Sequence, residues 1–546
     1  MGWCFRTALL SACLLSSASA CSTLVAGRLA TDDGSVMVAH SNDGDGGTAG
    51  NLKIVPSADH ALPATRGPGP VAQVAHTYAY FTKVGGYAST NEHQVALAES
   101  TCVAVFRGNR SAGAALNIVD LSELGLERAN SSRAAVQVMG DLAVRYGYYD
   151  AGESLLVADP VEAFVFHVLP DDTGAAAVWV AQRVPDDHVG VVANSFTVRE
   201  VDFDDAHNFL ASPNMRDVAR RAGRWGDGVP LDFTRVFAGA EPGHRYSAGH
   251  RMWSGLRHLG DPAAHAALPL HYNEYVSEAP YPTTLRARPG GVSLAALTAT
   301  MRDYYANTTL DMTAGMAAGA FGTPDRWAAG AGEAALGAGS WERTIAISRT
   351  IVSYVVQCRR WLPDEVGGVL WLSFHAAHTS FYVPFPVGMA AANSPLPPGV
   401  TTNAVGSVGR GVAGWQAARF VFNTCQLRFA DMITHVAAAQ EKWEGAGRNL
   451  TARNAADWVS GAAGIAEVAK RTSAHATAVV AAWWELADSL MLAYADGYCN
   501  GCGRGPRHLG YPRWWLASKE VNYTGGPPPA LPVPPPPTQP PARAHR

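Results

Sequence analysis

A chain of 546 residues is long enough for one large domain or two to three average ones. With 48% hydrophobic and 16% charged residues it has the composition of a globular protein with a sizeable core, not of a disordered chain. The formal net charge of −4 and the absence of any block of like charge argue against a nucleic-acid binder, which would carry a basic stripe.

Residues 1–20 form the first predicted element. Arg6 supplies a small positive region, Ala8 to Leu15 are apolar, and Ala18-Ser19-Ala20 has the small side chains that a signal peptidase reads. This is the layout of a secretory signal peptide, too short to anchor in a bilayer. Cleavage after Ala20 would make Cys21 the first residue of the mature protein. Sequons at Asn109, Asn130, Asn307, Asn449 and Asn522 agree with a secretory route. The expected location is therefore outside the cell, or in the lumen of a vacuole or lysosome. Beyond the leader the cysteines are Cys21, Cys102, Cys358, Cys425, Cys499 and Cys502. The last two, in "CNGC", are spaced to bridge across a tight turn. A zinc site would need a second ligand pair at suitable spacing and none is present, so neither a metal nor another cofactor is expected.

From Cys21 to about residue 206 the chain reads as short strands: "STLVAGRL", "SVMVAH", "QVALAES", "SLLVADP", "AFVFHVL", "AAVWVAQRV" and "VGVVANSF". Between them, "LSELGLERANSSRAAVQVMGDLAVRYG" has apolar residues at helical spacing and predicts helices lying on the sheets. After residue 206 helix predominates, as in "SLAALTATMRDYY" and "AGIAEVAKRTSAHATAVVAAWWELADSLMLAYADG". Glu485 and Asp488 in the second argue for a packed amphipathic helix and against a membrane span. "TIAISRTIVSYVVQCRRWLP" and "GGVLWLSFHAAHTSFYVPFPVG" add further strands. Residues 525–546 are expected to be a disordered proline-rich tail, extended and unable to form a core, whose composition would also suit binding to a proline-reading partner or to cell-wall polymers.

Cys21 is the chemically distinctive residue. An N-terminal cysteine carries its own base, because an α-amino group has an unperturbed pKa of about 8 and sits within reach of the thiol. Thiol and amine together make a nucleophile for acyl transfer. A half-cystine, a lipidated cysteine or an inert buried thiol would fit the same junction, although Ala18 stands where a lipoprotein leader has a large aliphatic residue.

The residues that follow bear on this choice. "CSTLVAGRLATDDGSVMVAHSNDGD" resembles the mature start of the cysteine dipeptidase family, which includes bacterial dipeptidase A and the secernins. The blocks at 91–101, 152–168, 180–205, 350–385 and 483–498 resemble the same family in the same order. The resemblance covers nearly all of the chain after the leader except the proline tail. It implies an α+β fold, a four-layer αββα sandwich of N-terminal-nucleophile hydrolase type over residues 21–524. It also implies hydrolysis of peptide bonds in dipeptides or short peptides through an acyl-cysteine intermediate. Two other functions stay open: an amidase of the same superfamily acting on N-acyl substrates, and a secernin-like scaffold that uses the tail.

Position by position, the resemblance makes Cys21 the nucleophile and Asp43 the acid that holds the amine. Asn194 becomes an oxyanion-hole residue, and Thr101 marks the second oxyanion position, where a backbone N–H is expected to donate. His40 stands where many relatives have arginine, so its support of a thiolate should weaken as pH rises. Arg251 matches the superfamily's second arginine on local similarity, with Arg343 as a rival. Glu99 is a candidate for binding a substrate amine, or else a structural carboxylate. Asp33 reads as a turn residue. His93, His375 and His378 read as core or surface histidines, and Trp371, Phe374, Phe381 and Tyr382 as core.

Overall fold

The computed structural model describes residues 21–44, 49–67, 69–83, 86–239, 248–270, 281–325, 343–404, 410–502 and 505–518. The predicted leader, Asn522 and the proline tail lie outside these residues. The chain enters on β1 (Ser22–Ala26), turns, and returns on β2 (Val36–Asp43). Asp33 makes the turn: its Oδ1 accepts from the Ser35 backbone N–H at 2.9 Å, and Gly34 takes a φ of +83° that few other residues adopt without strain. Next come β3 (Leu52–Val55), β4 (Tyr80–Lys83), β5 (Ala88–Asn91) and β6 (Ala96–Cys102). Helices α1 (Ile118–Arg128) and α2 (Ser132–Tyr146) follow, started by the side-chain caps Asn117 and Ser131. The chain continues through β7 (Gly152–Ala158), β8 (Ala163–Pro170), β9 (Ala177–Val184), β10 (His188–Val192) and β11 (Phe209–Ala211). Helix α3 (His250–Leu259), β12 (Leu285–Arg286) and α4 (Leu294–Met301) precede β13 (Thr350–Cys358), β14 (Val369–Phe374) and β15 (Val383–Pro386). The last large elements are α5 (Gly414–Cys425), α6 (Phe429–Val459) and α7 (Ile465–Ala493).

The fold is α+β. One sheet runs β12-β10-β1-β2-β13-β14-β15 and the other β11-β9-β8-β7-β6-β5-β4-β3, with antiparallel neighbours throughout. Alternation along the strands sorts the side chains into layers. Val25 and Val38 of the first sheet share a core with Ala98, Leu156, Val165 and Val180 of the second. The opposite faces meet helices: Leu97, Val157, Phe166 and Trp179 pack on Leu121 and Met139, while Leu24, Ala39 and Val191 pack on Met252, Leu256 and Leu297. With both faces covered, every residue of β2, β8 and β13 is buried. This is why β8 and β13 read as largely apolar runs.

β3, β4 and β5 were not among the predicted strands, since four-residue segments such as "ASTN" carry too little apolar pattern. Trp371, Phe374, Phe381 and Tyr382 are core residues. Cys499 and Cys502 form a disulfide, Cys21, Cys358 and Cys425 are buried free thiols, and Cys102 is buried with its sulfur beside the Ser154 hydroxyl. By length and composition α7 is apolar enough to cross a membrane; here its Val479, Val480 and Trp483 join the core shared with α5 and β14.

Candidate active site

Pairing of β1 with β2 builds the centre of the site. Ser22 faces Ser41 in register, so Cys21, one residue earlier, comes level with Asn42 and Asp43. The Asn42 Nδ2 donates to Cys21 Sγ at 3.8 Å. On the other side of β2, β13 brings Thr350 against Asp43, and the Thr350 hydroxyl donates to Asp43 Oδ1 at 2.6 Å. Arg343 completes that carboxylate's shell with a 2.6 Å ion pair to Oδ2. Burial raises the Asp43 pKa, and Arg343 and Thr350 hold it back.

Arg251, near the start of α3, is wholly buried and reaches the backbone of Cys21. Its Nη1 donates to the Cys21 carbonyl at 2.7 Å and to Ser22 Oγ at 2.9 Å, and its Nη2 to Asn194 Oδ1 at 2.7 Å. Burial, with the neighbouring Arg343 charge, pushes its pKa down to about 9. The choice between the two arginines therefore dissolves: Arg251 holds Cys21 and Asn194, while Arg343 holds Asp43.

Asn194 follows β10 in the left-handed region, at φ +58°, a conformation that Asn tolerates. Ser100 of β6 ties the sheets together here, donating to the Cys21 carbonyl at 3.3 Å and accepting from the Asn194 N–H at 2.8 Å. One Nδ2 hydrogen of Asn194 is spent on the Thr101 carbonyl at 2.6 Å. The Thr101 hydroxyl in turn donates to Glu99 Oε1 at 2.9 Å.

His40 requires a correction. It is buried, and burial aided by the Lys83 charge pushes its pKa down to about 3. A neutral imidazole cannot supply the titrating positive charge expected from its position. Its Nε2 lies 3.7 Å from Glu99 Oε2, and among the described residues neither ring nitrogen has a hydrogen-bond partner. Cationic support comes from the arginines instead.

Burial, followed by the charges of Glu99 and Asp43, pushes the Cys21 thiol well above its ordinary pKa; the Asp43 backbone N–H and Arg343 act in the opposite sense. Such a thiol does not ionise unaided near neutrality, so nucleophilic attack needs an adjacent base. Cys21, His40 and Glu99 each offer a donor atom within 4.8 Å of the other two, a set of the composition used by zinc. Any metal held there would occupy the same thiolate.

The remaining candidates lie elsewhere. His93 pairs with Asp364 at 3.6 Å, and His375 and His378 pack against Phe422 of α5. Asn109, Asn130, Asn307 and Asn449 are exposed. Sequence reasoning missed Ser100, Thr350 and Glu153, each of which reads locally as an ordinary strand residue.

A family model described as peptidase family C69 matches residues 20–442. A probable dipeptidase of Salmonella dublin is 24% identical over 387 residues, covering 68% of this chain and 81% of the relative. Dipeptidase A of Lactobacillus helveticus is 22% identical over 395 residues, covering 67% of this chain and 74% of the relative. Among solved structures, penicillin V acylase from Agrobacterium tumefaciens aligns with a TM-score of 0.32 at 13% identity, covering 69% of this chain and 89% of that one.

Proposed function

The chain belongs to peptidase family C69 and is a peptide-bond hydrolase, and we propose that it is a secreted or lumenal dipeptidase whose nucleophile is Cys21. The observation that carries this reading is the setting of Cys21 beyond a leader-like segment, with its sulfur beside Asn42 and its carbonyl held by Arg251. Facing sheets with helices on their outer sides agree with the αββα sandwich of N-terminal-nucleophile hydrolases. Four exposed sequon asparagines agree with a secretory route.

In this mechanism, cleavage after Ala20 turns a peptide nitrogen into an amine. The amine removes the thiol proton, and the thiolate attacks the substrate carbonyl carbon. The new oxyanion is stabilised by N–H donors around Asn194, and Asp43 and its arginine keep the amine in position. The protonated amine then gives its proton to the departing α-amine as the C–N bond breaks. Water, deprotonated by the same amine, hydrolyses the thioester and restores the thiol.

The test is hydrolysis of unblocked dipeptides by the mature protein beside N-acyl amides. Cys21→Ala should lower kcat by at least about a thousandfold while circular dichroism stays unchanged. Cys21→Ser should keep a trace of activity. Undiminished turnover by the alanine variant overturns the mechanism, and turnover of N-acyl amides alone makes the protein an amidase.

A further inference from the structure

Glu99 and Glu153 are both buried, and each has a carboxylate oxygen, Oε2 in both cases, with no hydrogen-bond partner among the described residues. They stand on neighbouring strands: Thr101 faces Glu153 in the β6–β7 register, and Glu99, two residues earlier, points to the same side of the sheet. Among the described residues, neither carboxylate forms an ion pair with a lysine or arginine. His40 Nε2 lies 3.7 Å from Glu99 Oε2, and that imidazole is neutral. The Tyr148 hydroxyl is also buried and unpartnered, and Tyr148 and Tyr87 both feel the charge of the pair. Tyr87 and Thr101 are partly exposed, so the pair lies just beneath the surface.

Buried negative charge without a countercharge is costly, and native folds keep it where a cation arrives. Burial raises the pKa of both carboxyls, and for Glu153 the Glu99 charge adds to this. A cationic group of the substrate would supply the missing countercharge. The position of the nucleophile identifies which cation, because a Glu99 carboxylate oxygen lies within 4.8 Å of Cys21 Sγ. In a peptide the α-nitrogen is about 2.5 Å from the carbonyl carbon of its own residue. When Cys21 attacks the carbonyl of an N-terminal residue, that residue's ammonium falls within reach of Glu99.

We propose that Glu99 and Glu153 together form the subsite that receives the protonated α-amino group of the substrate's first residue, which makes the protein an exopeptidase requiring a free N-terminus. The proposal rests on the dipeptidase reading above and extends it from Glu99 alone to a carboxylate pair. An internal peptide bond or an N-acylated substrate would leave the pair buried and uncompensated, which the site rejects.

Steady-state kinetics of the mature protein with Ala-Ala, N-acetyl-Ala-Ala and propionyl-Ala test this. Propionyl-Ala is Ala-Ala with the ammonium replaced by hydrogen. Wild type should prefer Ala-Ala over propionyl-Ala by at least about a hundredfold in kcat/KM, a typical penalty for an unmet buried polar group. The Glu99→Gln/Glu153→Gln double variant, which keeps size and shape, should reduce that preference below about tenfold, Ala-Ala losing far more kcat/KM than propionyl-Ala. A merely structural pair would lower both substrates together. Equal turnover of all three by wild type, or an undiminished preference in the double variant, overturns the subsite and leaves the dipeptidase reading intact. If wild type hydrolyses none of them, the dipeptidase reading falls, and calorimetry on Cys21→Ala decides the subsite. Binding of Ala-Ala but not N-acetyl-Ala-Ala supports it, and equal or no binding overturns it.

Discussion

His40 shows how burial decides a residue's chemistry. In the unfolded chain it takes up a proton near its ordinary value of 6.5, but in the fold only near pH 3. The unfolded state therefore binds more protons between those values, and folding stability falls as pH drops through that window. His167 and His375, also pushed down to about 3 by burial, act in the same sense. Glu99 and Glu153 oppose them, because their raised pKa values favour the folded state at low pH. Comparing His40→Gln with wild type isolates one contribution: denaturant melts between pH 6 and 4 should show a slope shallower by up to about 1.4 kcal/mol per pH unit. In the proposed mechanism the pH profile of kcat/KM belongs to a different group. Its acid limb should follow the Cys21 amine, near an α-amino value of about 8, and His40→Gln should leave that limb in place. A limb that moves with this substitution would return a proton-transfer role to His40. The identity of His40 was legible in the sequence, but its charge was not, because desolvation depends on what the fold packs around it.

Among the elements, α3 bears most directly on the site. It lies across β10 and β1 at Gly255, where an added Cβ would come within 2.9 Å of Val191 and 3.2 Å of Leu24. That close approach lets Arg251, one turn earlier on the helix, reach the Cys21 carbonyl. Gly255→Val should lift the helix, cost about 1–3 kcal/mol by overpacking, and lower kcat in protein that is still fully folded. Thermal melts beside kinetics check this; a folded variant with unchanged kcat would show that Arg251 does not depend on the helix position. The strands and helices around the site were largely readable, since Asp33-Gly34 marks the β1–β2 turn and the apolar runs mark the buried strands. The short strands β3 to β5 were not readable, because their stability comes from pairing and not from their own pattern.

For the molecule as a whole, the proposed mechanism makes activity depend on the state of one peptide bond. While Ala20 remains attached, the Cys21 nitrogen is an amide and has no basicity. A form blocked from cleavage, for example by Ala18→Arg with Ala20→Arg, should fold but hydrolyse dipeptides at no more than about a thousandth of the mature rate. Mass spectrometry of active protein should find Cys21 first and unacylated, and activity from a form with a different start would remove the amine from the mechanism.

The sequence by itself determined the local facts: a cysteine after a cleavable-looking junction, a tight turn, and a strand that returns Asn42 and Asp43 to its side. Each depends on residues within about 25 positions of one another, where turn chemistry and alternation suffice. The tertiary structure decided which distant groups complete the site: Arg251 and Arg343, which the sequence could only rank as rivals, and the carboxylate pair Glu99–Glu153. It also decided their charges, because ionisation depends on burial and on neighbours that only the folded sheets bring together.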